Sequence, residues 1–425
     1  MNSDHRAVEV LALVRDGRYE DVVEMFEPPL RALVSAEVLR TAWTTELDRL
    51  GAVSAIGRPT SAPAANGLTR LTVPVTCERG GLSVVMSIDG DDHIHGLRIA
   101  SAAMPWTPPS YADERRFVER DITVDGLPGT LTLPTDADRA PAVVLLSGGG
   151  PFDRDETTGP NRPLKDIAWG LASRGVAVVR FDKITYVDGA AASRPGFTAT
   201  DEYVPAAVAA IRLLRAEPIV DPSRIFVLGH SMGGKIAPRV AAAEPSVAGL
   251  VVMAGDTKPM TWNAVRVARH LAAASPGPAM DAAVATIERQ AAVVDAPDLS
   301  ADTPLDQLLF GFSASYWLDM RAYDPVATAA AVGKPMLILQ GGRDFQVTAE
   351  HDLAGWRAGL GGRTDVTLRA YDAADHMFFF GEGQSSVADY ERPQHVDGTV
   401  VADIADWLLA TSRSDGGLRR GGRAT

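Results

Sequence analysis

The 425-residue sequence contains little cysteine and no long apolar run, and each shortage excludes a class of protein. Cys77 is the only cysteine, so no disulfide can form within the chain and a reducing compartment is permitted. No apolar stretch approaches the roughly 18 residues of a membrane-spanning helix. The first residues, which include Asp4, Arg6 and Glu9, do not have the pattern of a secretory signal. We therefore expect a cytoplasmic protein with no membrane partner.

Positive charge is scarce relative to negative charge. The chain carries 41 Lys and Arg against 54 Asp and Glu, a formal net charge of −13. Such a surface repels nucleic acid and anionic lipid, so neither is an expected partner. Hydrophobic residues make up 46% of the chain, which permits a large core without disulfides or metals. The composition predicts a globular protein and excludes wholesale disorder.

The first 103 residues combine helical and strand patterns. Apolar residues recur at helical spacing up to about residue 50, and strand-like runs follow at residues 71–77, 82–88 and 94–99. Helices followed by an antiparallel meander predict a small α+β domain over residues 1–103. Pro74 marks the run 71–77 as an edge strand, because proline has no N–H to donate. This edge offers a homodimer contact; the alternative role for the domain is to shape the pocket entrance.

A second pattern follows a linker at residues 104–116, which Pro105, Pro108 and Pro109 stiffen. A hairpin is expected at residues 121–134, and short apolar runs then alternate with helical stretches. The runs cover residues 142–146, 176–181, 225–228, 250–253, 336–339 and 366–370. This alternation predicts an α/β domain over residues 117–412, with a mostly parallel sheet and helices on both faces.

Two segments of this second region depart from the alternation. Residues 257–331 are Ala-rich and helical without a convincing strand, and they have the size of a cap inserted above the sheet. Residues 413–425 are mostly Gly, Arg and Ser with little to bury, so we expect a disordered tail.

The strongest chemical signal is the run Gly229-His230-Ser231-Met232-Gly233, which matches G-x-S-x-G between a predicted strand and a predicted helix. On that sharp turn the serine is forced out above the sheet edge, and the glycines permit the close backbone approach that the turn needs. Ser231 is therefore the candidate nucleophile. The alternative is a Gly-rich turn that carries a solvated serine.

A nucleophilic serine needs a base, and the base needs an orienting acid. In this setting both follow the serine, with the acid before the histidine. His376 is the histidine that lies in a loop after the last predicted strand, which makes it the candidate base. Asp344 follows the strand at residues 336–339 in a Gly-rich turn and is the candidate acid. Asp256, which follows an earlier strand, is the alternative acid.

The oxyanion formed on acyl attack needs preorganised N–H donors. Met232 directly follows the nucleophile at the positive end of its helix, and Gly149 lies in the loop 147–151, whose glycines let amides face a ligand. Neither G-x-G-x-x-G nor the Walker pattern is completed there, so no cofactor is expected. Four aromatic residues are candidates for binding substrate, although cap aromatics are also simply cap core: Phe152, Trp262, Phe310 and Trp317.

For several other polar residues a structural role is the alternative to a functional one. His93 and His95 share one face of a short strand, but no third metal ligand is apparent, so no metal site is expected. Arg154, between acidic residues, either braces the oxyanion loop or lies at an exposed rim. We expect Lys235 on a helix surface, and His230 to point away from the nucleophile.

These motifs resemble those of the α/β-hydrolase superfamily, serine esterase branch, over roughly residues 117–412. More narrowly, the chain is similar to bacterial esterases that carry a small N-terminal domain of uncharacterised function. Their pattern His-Gly-Ser-Gly-Pro-x-Asp-Arg-Asp is matched at residues 147–155, with Ser147 in place of the usual histidine. The similarity continues at residues 180–183, 229–234 and 339–344, and in Tyr19, Phe26, Trp43 and Gly51 of the first domain.

The resemblance implies hydrolysis of a small-molecule ester or thioester. In this interpretation Ser231 attacks the carbonyl, His376 is the base, Asp344 orients it, and water releases the acid without a cofactor. One alternative keeps the acyl-enzyme with a non-water acceptor, which gives an acyltransferase or a thioesterase/cyclase. Another is a binding protein on a hydrolase scaffold, against which the complete set of catalytic residues argues.

Overall fold

The computed structural model describes residues 3–63, 68–101 and 106–411. The chain divides into two compact units, Met1–Pro105 and Trp106–Thr425. The predicted tail at residues 413–425 and the first two residues of the predicted linker, 104 and 105, lie outside the described residues. No described helix is both long and apolar enough to cross a membrane.

The first unit places helices before an antiparallel sheet, as the sequence predicts. The helices are α1 Ser3–Arg15, α2 Tyr19–Glu24, α3 Pro28–Leu33 and α4 Ala36–Leu50. The strands are β1 Val53–Ile56, β2 Thr60–Pro63, β3 Thr69–Cys77, β4 Gly80–Ile88 and β5 Ile94–Ser101. Alternate residues of β3 and β4 are buried against the helices, and Cys77 belongs to this core. Burial by the core, with nearby carboxylates, raises the pKa of the Cys77 thiol.

The position of Pro74 corrects one prediction. Strand β3 is not at an edge, because β4 pairs along one side of it while β1 and β2 both pair along the other. Pro74 lies opposite the break between β1 and β2, where no N–H from β3 is needed. Its carbonyl still accepts the N–H of Gly57 at 2.7 Å. Proline is therefore tolerated inside this sheet, and β3 offers no free edge to a second chain.

The second unit contains an eight-stranded sheet in the order β13-β12-β11-β10-β8-β9-β7-β6. Strands β8 to β13 run parallel, β7 pairs antiparallel to β9, and β6 pairs antiparallel to β7. The strands are β6 Phe117–Val124, β7 Leu127–Pro134, β8 Ala140–Leu146, β9 Ala177–Phe181, β10 Val220–His230, β11 Leu250–Met253, β12 Met336–Gly341 and β13 Val366–Tyr371. The predicted mostly parallel sheet is thus confirmed.

Helices cover both faces of this sheet. They are α5 Pro163–Ala172, α6 Ile184–Val187, α7 Ala199–Ala216, α8 Met232–Ala243, α12 Pro325–Val332, α13 Ala354–Leu360 and α14 Gly398–Thr411. Alternate residues of β8 belong to different cores: Val144 packs with α7 and α8, whereas Val143 and Leu145 pack with α5 and α14. Because both faces are buried, the strand is apolar at every position, which explains the short apolar runs in the sequence.

A helical segment separates β11 from β12, where the sequence predicts a cap. It contains α9 Met260–Ala274, α10 Pro278–Asp295 and α11 Ala314–Arg321, with short 3₁₀ turns at Leu305–Gln307 and Leu309–Gly311. These elements share a small core of their own, in which Val294, Leu308 and Trp317 are buried. The described residues of this segment form no strand.

Candidate active site

Ser231 stands alone between strand β10, which ends at His230, and helix α8, which begins at Met232. Its backbone has φ 52° and ψ −120°, a strained conformation for a residue with a side chain. Its N–H donates to the Met253 carbonyl at 2.8 Å. A Cβ on Gly229 would come within 2.1 Å of the Gly233 carbonyl oxygen, so this turn excludes larger residues. The G-x-S-x-G spacing is therefore a steric requirement of the turn.

His376 and Asp344 form a buried pair. The Nδ1 atom of His376 lies 2.8 Å from Oδ2 of Asp344. The other oxygen of Asp344 accepts the N–H groups of Gln346 at 2.7 Å and Val347 at 2.9 Å, and Gln340 donates to Oδ2 at 3.2 Å. These bonds hold the carboxylate in one orientation, so it can receive a proton-bearing Nδ1 and leave Nε2 free to accept a proton.

Asp256, the alternative acid, is engaged elsewhere. Its Oδ2 accepts Nζ of Lys235 at 2.7 Å and Nδ2 of Asn263 at 3.1 Å. Lys235 is buried and also donates to the Lys258 carbonyl at 2.6 Å, so its predicted place on a helix surface is wrong. A helix position one turn after the serine faces the sheet here, and only a partner carboxylate makes a buried lysine tolerable.

The loop after β8 carries the candidate oxyanion donor. The N–H of Gly148 donates to Oε1 of Glu156 at 2.6 Å, and the Gly148 carbonyl accepts Nζ of Lys183 at 2.9 Å and the Tyr203 hydroxyl at 2.8 Å. Gly148 is therefore fixed on both sides, and its own N–H is occupied. The next residue, Gly149, lies beside the Met232 side chain at the start of α8, since a Cβ on Gly149 would sit 3.6 Å from the Met232 sulfur.

A buried ionic group supports this loop. Nζ of Lys183 lies 2.9 Å from Oε1 of Glu202, which also accepts the Thr185 hydroxyl, while Oε2 accepts the Tyr316 hydroxyl at 2.7 Å. Burial lowers the pKa of Lys183, and the charge of Glu202 opposes that shift. The sequence pattern at residues 180–183 includes Lys183, but nothing in the pattern reveals its partner on α7.

His230 connects the loop after β8, which carries Gly149, to the loop after β13, which carries His376. Its Nδ1 lies 2.9 Å from Oε1 of Glu156, and its Nε2 lies 2.8 Å from the His376 backbone carbonyl. Burial alone lowers the pKa of His230, but the charge of Glu156 and these two hydrogen bonds outweigh it and raise the pKa above its ordinary value. The sequence predicts only that His230 points away from Ser231; it does not reveal this bridge, because the partners of His230 are 74 and 146 residues away.

The rest of the loop 147–155 is held by charge pairs. Arg154 forms a bidentate pair with Asp182, with Nε and Nη2 donating at 2.9 and 3.1 Å, so it braces the loop from the end of β9. Asp155 pairs with the buried Arg180. Ser147, which stands where the similar esterases have histidine, is buried, and its Oγ has no hydrogen-bond partner among the described residues.

A cavity of about 460 Å³ opens beside Ser231 and Met232. Its walls come from the oxyanion loop, from α9 and from the loops that follow α10 and β12: Gly149, Gly150, Pro151, Asp256, Met260, Asn263, Ala264, Val267, Phe310, Phe312, Gln346 and Val347. Phe310 and Phe312 also line a neighbouring cavity of about 200 Å³. Most of the larger cavity is apolar, which suits an acyl chain.

The four predicted substrate-binding aromatics have different positions. Phe310 lines both cavities. Trp317 is fully buried in the core of the cap, and Trp262 is 39% exposed and packs edge-on against His351. Among the described residues, Phe152, Trp262 and Trp317 are not part of either cavity wall. Aromatic character alone does not separate a wall residue from a core residue.

Comparison with known proteins finds a matching family profile and a similar relative. A family profile described as serine aminopeptidase, S33, matches residues 162–383. Esterase EstD of Thermotoga maritima is 34% identical over 333 residues, which cover 78% of this chain and 77% of the relative.

Two solved structures align at low similarity. An esterase of Pyrococcus furiosus has a TM-score of 0.45 and 16% identity over 72% of this chain and 94% of its own. Est1E from Butyrivibrio proteoclasticus has a TM-score of 0.42 and 15% identity, over 69% of this chain and 98% of its own.

Proposed function

Because the chain belongs to the α/β-hydrolase family and is an esterase, we propose that it hydrolyses small-molecule carboxylic esters through Ser231, His376 and Asp344. The observation that supports this proposal is the buried 2.8 Å pair of His376 and Asp344, tied through His230 to the turn that presents Ser231. A surface turn with a solvated serine has no reason to be coupled to such a pair.

The reaction proceeds in two acyl-transfer steps. Nε2 of His376 takes the proton of the Ser231 hydroxyl as its oxygen attacks the ester carbonyl carbon, and Asp344 stabilises the imidazolium. The oxyanion receives the N–H groups of Gly149 and Met232. The tetrahedral intermediate collapses, and the alcohol leaves with the proton from His376. Water then attacks the acyl-enzyme by the same route, releasing the carboxylic acid and restoring Ser231.

The substrate is an ester whose acyl group is mainly apolar. The cavity beside Ser231 has apolar side chains from α9 and from the 3₁₀ turn at Leu309–Gly311. Burial of apolar surface contributes about 25 cal/mol per Å², so such a wall favours alkyl or aryl acyl groups over charged ones.

The test is hydrolysis of p-nitrophenyl acetate and butyrate by the full chain, with and without an added alcohol acceptor. We expect release of free acid, and a loss of several orders of magnitude in Ser231→Ala. Ser193→Ala is the matched control, because Ser193 lines the neighbouring cavity and should keep its activity. A fluorophosphonate probe should label Ser231 alone. Transfer of the acyl group to the added alcohol, in place of free acid, would show a transferase. Labelling of Ser231→Ala to the same extent as the wild type would show that Ser231 is not the nucleophile.

A further inference from the structure

Two histidines and two carboxylates come together in the first unit, where the sequence shows only the histidines. Backbone hydrogen bonds hold these side chains close together. Glu27, between α2 and α3, donates its N–H to the Ile94 carbonyl at 2.9 Å, and Ile94 donates to the Met25 carbonyl at 2.9 Å. Glu27 is thereby held beside the start of β5, close to His93 and His95 on either side of the buried Ile94.

Asp89 approaches from the other side of the same turn. It follows β4, and its N–H donates to the His93 carbonyl at 3.2 Å. Its Oδ1 accepts the N–H groups of Asp91 and His93, each at 2.9 Å, which fixes the carboxylate. The other oxygen, Oδ2, is left to face the histidines. Four side chains from two distant stretches of sequence are therefore placed before any ion arrives.

The distances between their donor atoms fit a shared ion. Ligand atoms of Glu27, Asp89 and His95 all lie within 4.8 Å of one another. Nε2 of His95 is 2.9 Å from Oδ2 of Asp89, and Nδ1 of His93 is 3.5 Å from a carboxylate oxygen of both Glu27 and Asp89. Bonds of about 2.0–2.1 Å to a tetrahedral Zn²⁺ place neighbouring ligand atoms about 3.3 Å apart.

His93 distinguishes this cluster from a simple set of hydrogen bonds. At 3.5 Å from two carboxylate oxygens its Nδ1 is at the limit of hydrogen-bond distance to both, yet it lies equally close to each. The side chains are partly exposed, 53% for His93, 35% for His95, 29% for Glu27 and 27% for Asp89, so an ion can enter from solvent.

We propose that Glu27, Asp89 and His95, with His93 as the fourth ligand, form a binding site for a divalent transition-metal ion of the Zn²⁺ type. Two imidazole nitrogens and two carboxylate oxygens suit Zn²⁺ and Co²⁺, whereas Ca²⁺ and Mg²⁺ favour oxygen ligands alone. The ion neutralises the two carboxylates, and His95 binds it through the lone pair of Nε2, with the ring proton on Nδ1. It links the α2–α3 junction to the β4–β5 turn, which stabilises the first unit.

The site is tested on the full chain after removal of metal with EDTA, by calorimetric titration with Zn²⁺ and by the visible absorption of added Co²⁺. We expect one ion per chain, with affinity at least about tenfold lower in Asp89→Asn and in His95→Ala. Asn keeps the oxygen that accepts the N–H groups of Asp91 and His93, so Asp89→Asn should fold normally. Zn²⁺ should also raise the unfolding temperature of the wild-type chain but not that of His95→Ala.

Two matched controls belong to the same unit. Asp91→Asn removes a neighbouring exposed carboxylate, and His5→Ala removes an exposed histidine of α1; both should bind Zn²⁺ as the wild type does. No Zn²⁺ binding by the wild type, or equal affinity in Asp89→Asn and His95→Ala, would overturn the proposal. A preference for Ca²⁺ or Mg²⁺ over Zn²⁺ would also contradict it. None of these readouts uses ester hydrolysis, so the result is independent of the proposed catalytic function.

Discussion

At the scale of single residues, the two buried aspartates Asp344 and Asp256 differ in their partners. Asp344 contacts the His376 imidazole, while Asp256 contacts the Lys235 ammonium. Both follow parallel strands at the same edge of the sheet, so the sequence alone leaves either as the acid. The partner, and not the position after a strand, decides which chemistry each carboxylate can perform.

Substitution of each aspartate by asparagine should therefore affect a different property of the protein, turnover in one case and stability in the other. Asp344→Asn should reduce turnover on the order of 10⁴-fold, because the imidazole is held in the wrong tautomer, with little change in unfolding temperature. Asp256→Asn should mainly lower stability, by about 3–5 kcal/mol, since it leaves the Lys235 charge buried and unpaired. Initial rates and thermal unfolding of both variants measure this contrast; the reverse pattern would make Asp256 the acid.

Glu156 gives a second prediction at this scale. Its Oε1 receives both the Gly148 N–H and Nδ1 of His230, so it fixes the oxyanion loop and keeps a proton on His230. In Glu156→Gln the charge that raises the pKa of His230 is lost, and burial then lowers that pKa. Below this lowered pKa His230 stays protonated, and the loss of activity is small. As the pH rises through the lowered pKa, His230 loses a proton and with it one of its two hydrogen bonds.

We expect kcat of Glu156→Gln, relative to that of the wild type, to be about tenfold lower near neutral pH and to approach the wild-type value toward pH 5, with KM little changed. A pH–rate profile from pH 5 to 9 measures this. Asp153→Asn is the control, because within the described part of the chain Asp153 accepts side-chain bonds from its own turn alone, from Asp155 and Thr157. A Glu156→Gln profile parallel to that of the wild type would show that the residue has only a packing role.

At the scale of elements, the sequence predicts what depends on local periodicity and misses what depends on distant partners. Strands β8 and β11 of the larger sheet are apolar at every position, and β12 is apolar from Met336 to Leu339, so these strands are found readily. The short strands β1 and β2 are missed, since all four residues of β1 are exposed or only partly buried. Pro74 misleads because its tolerance depends on a gap between two other strands. Lys235 is misplaced because its burial depends on a carboxylate partner 21 residues away, and the bond of His230 to Glu156, 74 residues away, is not visible in the sequence.

The cap provides a prediction about selectivity. Phe310 is 53% exposed and lines both cavities, together with Phe312. In Phe310→Ala the wall between the cavities of about 460 and 200 Å³ is reduced, so longer acyl chains gain room. The ratio of kcat/KM for p-nitrophenyl octanoate over butyrate should rise on the order of tenfold.

Trp317 is the matched control in the same segment. It is fully buried in the cap core, so Trp317→Ala should lower stability by about 3–5 kcal/mol through a cavity. If Phe310→Ala leaves the octanoate-to-butyrate ratio unchanged while Trp317→Ala changes it, the acyl group does not lie against the Phe310 wall.

At the scale of the whole molecule, the second unit pairs its buried charges around the catalytic edge of its sheet. Lys183 with Glu202 and Lys235 with Asp256 are buried ion pairs. Removal of one partner from such a pair costs more than the intact pair contributes. Lys183 also holds the Gly148 carbonyl next to Gly149, and Lys235 holds the Lys258 carbonyl; all of these residues lie within Trp106–Thr425.

This division predicts where the chain can be shortened. Trp106 donates Nε1–H to Oδ1 of the buried Asp166 at 2.8 Å, and the Tyr111 hydroxyl donates to the Val396 carbonyl at 2.7 Å. A chain that starts at Trp106 should therefore fold and react at Ser231 with a fluorophosphonate. One that starts at Ala112 loses both anchors and should unfold at a lower temperature.

Comparison of the Trp106 chain with the full chain then tests what the first unit contributes. We expect a difference in selectivity between short and long esters or in mass by light scattering, because residues 1–105 contain their own core and place β5 at the end of their sheet. Unchanged selectivity together with unchanged mass would show that the unit neither shapes the pocket nor joins subunits. Failure of the Trp106 chain to fold, with Ser231 unreactive, would instead show that the catalytic unit depends on residues 1–105 for its stability.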